Sequence, residues 1–248
     1  AGYAAYYDLL YAGKEYEAEC DFLESVWERF GVRPRSVLDL ACGTGGHALP
    51  LARRGYELHG VDLSAPMLAH CEAKARAAGV PVTVVCQDLR SLALHRTFDA
   101  AICMFDAIGY LAGNDDLRAG LTRIRAHVAP GGLFVCDFWH AAAILRAHAQ
   151  TRVREFPLPD GKGIRLSTTT LDPERQVGEV QFRVLAFQGD RLTADVTEVH
   201  PVRYFLPQEM RFILEATGWR PLWLCPAFDL DAPISAEAWH LVAVATPA

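Results

Sequence analysis

Residues 37–45, VLDLACGTG, are the stretch that decides the fold of this chain. The run from 36 to 41 is short and apolar, which is typical of a buried parallel strand. Gly43 and Gly45 then permit a sharp turn and let a ligand approach bare backbone. Helix-compatible sequence follows from 46 to 54. This order of strand, turn and helix predicts a binding site for a nucleotide-like cofactor.

Two other interpretations of the glycine turn have to be weighed. The dinucleotide fingerprint G-x-G-x-x-G would read GTGGHA from Gly43 and end on Ala48, a residue that this fingerprint sometimes allows there. The turn could also simply connect the strand to the helix. Asp39 inside the strand and the ACGTG wording favour a different class of protein.

The motif resembles the first motif of the class I S-adenosylmethionine-dependent methyltransferases, and later residues fall into step with it. The resemblance implies an α/β fold of Rossmann-like type, with a doubly wound, seven-stranded and mostly parallel sheet. It implies S-adenosyl-L-methionine as the cofactor. At this motif it implies cofactor contacts from Asp39, Ala41, Cys42, Gly43 and Gly45.

The second predicted strand, 56–62, ends on Asp62. A carboxylate at that end, next to the first glycine turn, is placed to accept hydrogen bonds from both ribose hydroxyls. Leu63 follows and is expected to form one wall of the adenine site. Asp62 could instead cap the next helix, but Ser64 and Pro66 are typical of a helix start, so both roles can coexist.

Asp88 follows the third predicted strand, 82–86. Taken alone, it is typical of a turn aspartate before Arg90. The methyltransferase pattern implies a different role, in which Asp88 accepts a hydrogen bond from the exocyclic amine of adenine. The same pattern implies adenine contacts from Gln87 and Leu89.

The segment after the fourth predicted strand, 98–104, is expected to face the transferred methyl group, because ligands bind beyond the carboxyl ends of parallel strands. Met104 is expected to contact the cofactor. Asp106, Tyr110 and His140, which follows the fifth predicted strand at 133–138, are the polar groups best placed to orient an acceptor or take its proton. Asp106 as a loop cap, Tyr110 as packing and His140 as a helix start are the alternatives.

The N-terminal residues 1–34 are rich in tyrosine and are expected to form a helical lid over residues 35–140, the cofactor-binding core. The phrase YAGKEY resembles the N-terminal segment of amino-sugar N-methyltransferases. That resemblance implies that Tyr11 and Tyr16 cover the methionine end of the cofactor.

Alternating polar and apolar residues mark the range 150–206, which predicts an inserted antiparallel sheet. Bacterial deoxyamino-sugar N-methyltransferases have a similar insertion, which implies a roof over the substrate site and a homodimer contact. Residues 207–248 are expected to supply a core helix and the last two core strands. One departure is that Tyr110 stands where those enzymes commonly carry histidine.

Composition limits the partners of this 248-residue chain. Its net charge of −6, with interspersed charges, argues against nucleic acid as a partner. No apolar run reaches the ~20 residues that a membrane-spanning helix needs. The seven cysteines show no C-x-x-C pair, so we expect reduced thiols, no metal site and a cytoplasmic protein with a small-molecule substrate.

Taken together, the sequence predicts methyl transfer to a small molecule, with an amine such as a nucleotide-linked amino sugar as acceptor. Catalysis is expected to rest mainly on positioning, because the sulfonium methyl group is already activated. Two alternatives stay open: a small-molecule O-methyltransferase, which needs a firm base or a metal, and a non-catalytic protein that only binds the cofactor.

Overall fold

A computed structural model describes residues 2–146 and 151–248 and the backbone of Ala147. In this part of the chain, seven strands form a central sheet in the order β3-β2-β1-β4-β5-β11-β10. The pairs among β1 to β5 are parallel, and β11 runs antiparallel to both of its neighbours. The central strands are β1 (Ser36–Leu40), β2 (Glu57–Asp62), β3 (Val82–Cys86), β4 (Phe98–Cys103), β5 (Val128–His140), β10 (Trp219–Pro226) and β11 (His240–Pro247).

Helices cover both faces of this sheet, as the doubly wound pattern predicts. No helix in the described residues is both long and apolar enough to traverse a bilayer. The α-helices are α1 (Tyr7–Leu10), α2 (Tyr16–Arg29), α3 (Ala48–Arg53), α4 (Ala65–Ala78), α5 (Asn114–Arg125), α6 (Ala141–Ala147) and α7 (Pro207–Ala216). Short 3-10 helices span Tyr3–Tyr6, Leu89–Ser91 and Ala107–Tyr110.

Strand β1 is buried along its whole length, which explains its continuous apolar sequence. Because successive side chains of a strand point to opposite faces, Val37 packs in one hydrophobic cluster while Leu38 and Leu40 pack in the other. The first of these clusters also contains Trp27 of α2, so α2 is a helix of the core. Burying an apolar side chain of this size contributes roughly 1.5–3 kcal/mol.

Strand β5 is longer than the sequence predicted. Residues Pro130, Gly131 and Gly132, which precede the predicted strand, lie inside β5 as an irregularity, since the pairing with β4 steps from Val128 directly to Leu133. Gly131 absorbs the distortion with a φ of +79°. The strand also continues to His140, two residues past its predicted end.

The inserted sheet is an antiparallel meander of four strands among the described residues, β6 (Arg152–Leu158), β7 (Gly161–Asp172), β8 (Val177–Gln188) and β9 (Arg191–Phe205). The first position of the predicted insertion, 150, lies outside the described residues. The last residues of β9 pair with the end of β5, which joins the meander to the central sheet. Helix α6, which leads into the insertion, begins directly after His140, in agreement with the alternative interpretation of this residue as a helix start.

Candidate functional site

A cavity of about 870 Å³ lies beyond the carboxyl ends of the parallel strands, between the central sheet, the N-terminal segment and the inserted sheet. This is the position where open α/β sheets bind ligands. The glycine turn and the ends of β2, β3 and β4 form its floor. Most of the predicted site residues line it, namely Tyr11, Tyr16, Asp39, Ala41, Cys42, Gly43, Asp62, Leu63, Gln87, Asp88, Leu89, Met104, Asp106 and Tyr110.

The turn after β1 leaves room for a ligand beside its backbone. Gly43 has a φ of +55°, and no protein atom in the described structure lies within 4 Å of the position that a Cβ would take there. Oδ2 of Asp62 accepts a hydrogen bond from the Gly43 N–H at 2.8 Å, and Oδ1 accepts one from the Ser64 N–H at 2.8 Å. The carboxylate is therefore held in one orientation at the edge of the cavity.

Asp39 is an acid whose hydrogen-bonding capacity is only partly used. Its side chain is 2% exposed, and among the described residues Oδ2 has no hydrogen-bond partner. Burial, followed by repulsion from Cys71 and Asp62, holds the pKa of Asp39 well above its ordinary value. A cationic ligand group in the cavity would supply the missing donor and favour the charged carboxylate.

Asp88 caps a short turn and borders the cavity at the same time. Its carboxylate accepts hydrogen bonds from the backbone N–H and the guanidinium of Arg90, and these hydrogen bonds lower the pKa of Asp88. Leu63 and Leu89 place apolar side chains in the same part of the cavity. Leu63 is 67% exposed, and an exposed apolar side chain of this kind is typical of a surface that binds a flat, apolar ligand group.

Asp106 is the centre of a buried polar network. It follows Phe105 in a turn where both residues have left-handed φ angles, +65° and +59°, and such strain is concentrated at functional sites. Oδ1 accepts a hydrogen bond from Nδ1 of His240 at 2.8 Å, and Oδ2 accepts one from Nε1 of Trp139 at 3.0 Å. The backbone N–H of Asp106 donates to Oδ1 of Asp137 at 2.9 Å.

The charges of this network shift two pKa values upward. Burial, followed by repulsion from Asp106, raises the pKa of Asp137 well above its ordinary value. Burial opposes the charged form of His240, but the hydrogen bond to Asp106 and the negative charges of Asp106 and Asp137 together outweigh it and raise the pKa of the imidazole. One carboxylate oxygen from each of Asp106 and Asp137 and one imidazole nitrogen of His240 lie within 4.8 Å of one another. The sequence did not indicate this grouping. Both oxygens of Asp106 are already hydrogen-bonded to protein donors.

The inserted sheet covers the cavity with one of its faces. Alternate residues of β7, β8 and β9 point inward, and the register places Thr169, Val180 and His200 in one row and Ser167, Phe182 and Glu198 in the next. The resulting roof combines hydroxyl, imidazole and carboxylate groups with apolar surface. Tyr110 meets it from below, with its hydroxyl 3.0 Å from Nδ1 of His200.

The tyrosine-rich N-terminus closes the remaining side. The ring of Tyr16 covers the glycine turn so closely that a Cβ on Gly46 would lie 2.4 Å from it. Tyr11 packs edge-on against Phe105, with ring centroids 5.0 Å apart, and its hydroxyl accepts a hydrogen bond from Arg165 of the roof at 3.1 Å. Among the described residues of the predicted lid, the cavity is lined by Tyr3, Tyr7, Tyr11 and Tyr16, and α2 beyond Tyr16 packs in the core.

Comparison with known proteins agrees with this architecture. A family model described as a methyltransferase domain matches residues 37–132. The dTDP-3-amino-3,4,6-trideoxy-alpha-D-glucopyranose N,N-dimethyltransferase of Streptomyces venezuelae is 30% identical over 190 residues, which cover 71% of this chain and 78% of the relative. The crystal structure of Streptomyces venezuelae DesVI superposes with a TM-score of 0.83 at 25% identity and covers 100% of this chain and 99% of that chain.

The chain belongs to the S-adenosylmethionine-dependent methyltransferases. A further relative of this methyltransferase is the dTDP-3-amino-3,6-dideoxy-alpha-D-glucopyranose N,N-dimethyltransferase of Streptomyces fradiae, 40% identical over 138 residues. That match covers 55% of this chain and spans about half, 52%, of the relative. The predicted α/β Rossmann-like fold is confirmed, as is S-adenosylmethionine as the cofactor.

Two predicted site residues of the methyltransferase lie away from the cavity. Because β5 continues through His140, this side chain and that of Trp139 point to opposite sides, and Trp139 is the one that lines the cavity. Nδ1 of His140 instead donates to the carbonyl of Ala238 at 3.0 Å. Gly45 is required for packing, since a Cβ there would lie 2.3 Å from Leu49 and 2.6 Å from Cys71.

Several cavity residues of the methyltransferase were missed by sequence reasoning. His240 is the first residue of β11, and an antiparallel strand starts at the edge where its parallel neighbours end, so its position was a usable signal. Arg165 and His200 lie on strands of the inserted sheet in which polar and apolar residues alternate. The sequence does not identify which face of these strands points into the cavity. Trp139, which lines the cavity, was given no role, although it directly precedes the candidate His140.

Proposed function

We propose that this methyltransferase methylates the amino group of a nucleotide-linked amino sugar. The main support for this proposal is that a single cavity extends from the glycine turn to the polar roof formed by the inserted sheet. The two Streptomyces relatives described above carry names that specify dTDP-linked amino sugars and N,N-dimethyl transfer. Their similarity supports the same acceptor class for this chain.

The floor of the cavity fits the cofactor in donor chemistry and in space. We assign the ribose hydroxyls to Asp62, the adenine amine to Asp88, and the two faces of the adenine to Leu63 and Leu89. The unpartnered oxygen of Asp39 suits the amino end of the methionine moiety, and bound cofactor supplies a sulfonium methyl group that needs no further activation. We assign Ala41, Cys42, Gly43, Gln87 and Met104 to further contacts with the cofactor, through their backbone or as walls of its site. Tyr11 and Tyr16 are assigned to cover the bound cofactor.

The roof fits a sugar that carries an anionic group. Ser167 and Thr169 offer hydroxyls that can both donate and accept hydrogen bonds. Arg152 and Arg165 also line the cavity, and guanidinium groups are well suited to bind phosphate oxygens. Among the described residues, neither arginine forms an ion pair with a carboxylate. Both cations are therefore available to the diphosphate of a nucleotide-linked sugar.

We assign Tyr110 and Asp106 to the orientation of the acceptor, with transfer driven mainly by positioning. Well-oriented reactants can gain roughly 7–11 kcal/mol in this way. Tyr110 is 51% exposed, and desolvation by the surrounding cavity walls raises the pKa of its phenol further above neutral pH, so this hydroxyl serves as a neutral hydrogen-bonding group. His140 is not retained in the proposed set.

The test is methyl transfer from isotopically labelled S-adenosylmethionine to a panel of nucleotide-linked amino sugars, simple amines and phenols. The proposal expects labelled N-methyl product from the amino sugars, detected by mass spectrometry. Product from phenols alone would establish the O-methyltransferase alternative. Cofactor binding by calorimetry without transfer to any acceptor would instead indicate a binding protein.

We further propose a homodimer that forms through the inserted sheet, and a cytoplasmic location. The outer face of that sheet exposes Val153, Leu192 and Val199, with 64%, 48% and 57% of their surface accessible. All seven cysteines are free thiols, which suits a reducing compartment. Analytical ultracentrifugation of the protein and of Val199→Glu tests the dimer, because a charge at its centre should yield monomers.

A further inference from the structure

Asp106 and His240 form a pair whose geometry fixes the protonation of the imidazole. An ionised carboxylate only accepts hydrogen bonds, so the contact between Oδ1 of Asp106 and Nδ1 of His240 at 2.8 Å places a proton on Nδ1. The lone pair of the neutral ring is then on Nε2. His240 lines the cavity, and within the described structure no protein donor or acceptor hydrogen-bonds to Nε2.

The pair is held rigidly from three sides. Trp139 donates to the second oxygen of Asp106, and Asp137 accepts the hydrogen bond of the Asp106 backbone N–H. The left-handed turn at Phe105 and Asp106 and the edge of β11 therefore meet in one orientation. A site that is supported in this way can hold a base in a productive geometry.

We propose that Nε2 of His240 accepts the proton of the substrate's amino group. Asp106 is the residue that orients the imidazole and stabilises its protonated form. This proposal rests on the proposed amine substrate. The N–H bond of the substrate ammonium breaks, its electron pair stays on nitrogen as the nucleophilic lone pair, and the proton forms an N–H bond at Nε2. The resulting imidazolium is paired with the Asp106 carboxylate and returns the proton to solvent. A second methylation requires a second proton transfer by the same route.

The charges that face His240 favour this role on balance. Burial and the ammonium group of Lys14 oppose the imidazolium, whereas Asp106 and Asp137 favour it, and the net effect is a raised pKa. A base is most effective when its pKa approaches that of the proton donor, and an alkyl ammonium is a weaker acid than imidazolium. The raised pKa therefore brings His240 closer to its partner.

His200 is the competing histidine in the cavity. Its Nδ1 lies 3.0 Å from the hydroxyl of Tyr110, and its Nε2 lies 3.5 Å from Oε2 of Glu198. Burial is the largest influence on this ring, and its pKa is lowered. His200 is thus the weaker base of the two, and its variant provides the matched comparison.

The test compares the pH dependence of single-turnover methylation in the wild type with that in His240→Asn, His240→Gln and His200→Asn. Asparagine keeps a donor toward Asp106, glutamine keeps an amide near the position of Nε2, and neither accepts a proton there. The proposal expects both His240 variants to lose about 10²–10⁴-fold at neutral pH. The loss should shrink as the pH rises, because the free amine then arrives deprotonated. Affinity for S-adenosylmethionine, measured by calorimetry, should be unchanged.

Histidine-labelled NMR gives a readout that does not depend on activity. In the wild type, the His240 ring should show the tautomer protonated at Nδ1, with a pKa above the ordinary histidine value. Asp106→Asn should lower this pKa and disturb the tautomer. His140→Asn is the control for a second histidine at the same sheet edge, and it should leave both the tautomer and the pH profile intact.

Each failure has its own signature. Wild-type protein that binds cofactor but methylates no amine refutes the proposed function. An active wild type with His240 variants within about threefold of it and an unchanged pH profile refutes only the role of His240. A loss confined to His200→Asn transfers the role to His200. A wild-type ring protonated at Nε2 also overturns the proposal, even if every variant fails to fold.

Discussion

Asp62 reaches back across the sheet edge to Gly43, with its Oδ2 2.8 Å from the backbone nitrogen of the glycine. The same carboxylate accepts the N–H of Ser64 through its other oxygen. Each oxygen keeps a further lone pair, so the two oxygens can accept ribose hydroxyls while they hold the turn. If Asp62 binds the ribose as proposed, it links the shape of the glycine turn to the recognition of the cofactor.

Replacing Asp62 with alanine should weaken cofactor binding by at least ~100-fold, since two charge-assisted hydrogen bonds at ~1.5–3 kcal/mol each are lost. Isothermal titration calorimetry with S-adenosylmethionine measures the change. Glu57→Ala is the matched control, because Glu57 begins the same strand at the opposite end and pairs with Arg96 outside the cavity. Unchanged affinity in a folded Asp62 variant would refute the ribose role.

Gly43→Val should abolish cofactor binding, because the side chain would occupy the open space beside the turn. Gly79→Val separates this effect from backbone strain. Gly79 has a similar φ of +66° and equally open surroundings, but it ends α4 away from the cavity. Both variants should melt at lower temperatures than the wild type, and only the Gly43 variant should lose affinity in calorimetry. Normal binding by a folded Gly43→Val protein contradicts the assignment of the motif.

Asp39→Asn should stabilise the cofactor-free protein at neutral pH while it lowers cofactor affinity about tenfold, the loss of one charge-assisted hydrogen bond. The pKa of Asp39 is raised in the folded state, so its contribution to stability is present at low pH and is lost as the pH rises toward the folded-state pKa. The gain in melting temperature should therefore disappear on acidification toward the ordinary aspartate pKa. Differential scanning calorimetry across pH and a binding titration measure the two effects.

Asp99→Asn serves as the control of opposite sign for this prediction. Partial burial acts against its charge, but backbone N–H groups of Ser36 and Arg35 hold the pKa of Asp99 below its ordinary value. Its variant should lose stability at neutral pH, and the loss should fade as the pH falls. A destabilised Asp39→Asn protein at neutral pH would mean that the charged carboxylate stabilises the fold, which contradicts a raised pKa for Asp39.

Tyr110→Phe should lower turnover about tenfold, because it removes one orienting hydrogen bond and keeps the ring that lines the cavity. Affinity for the cofactor should hardly change. Tyr56→Phe is the control, since the Tyr56 hydroxyl donates to Glu24 outside the cavity. Steady-state kinetics with a verified amino sugar provide the measurement. A loss of 10²–10⁴-fold with a shifted pH profile would instead make Tyr110 an obligatory base.

The position of the residues proposed to bind the cofactor was predictable because its determinants are local. Asp62 and Asp88 each follow an apolar strand directly, and parallel strands bring such ends together at one edge whatever the rest of the chain does. The glycine turn adds a motif in which the spacing of the glycines reflects the shape of the turn. Only the packing role of Gly45, set by Leu49 and Cys71, required the three-dimensional arrangement.

The acceptor half could not be predicted in the same way because its residues come from pairings that are distant in sequence. His140 was included as a candidate because it follows a predicted strand, yet two additional residues of β5 turn it away from the cavity. His240 reaches the site through the reversed direction of β11. Whether His200 reaches the cavity depends on which face of the inserted sheet points inward. Both faces carry polar and apolar residues, so the sequence does not identify the inward face.

The pairing of β11 with β5 also has a consequence for how the protein folds. His140 and Ala238, which meet beside this pairing, are 98 residues apart along the chain. The strands around the glycine turn pair across shorter separations, 21 residues from Ser36 to Glu57 and 63 residues from Val37 to Ala100. Because closing a longer loop costs more conformational entropy, the pairing of β5 with β11, which brings His240 to Asp106, should form after the strands that carry the glycine turn.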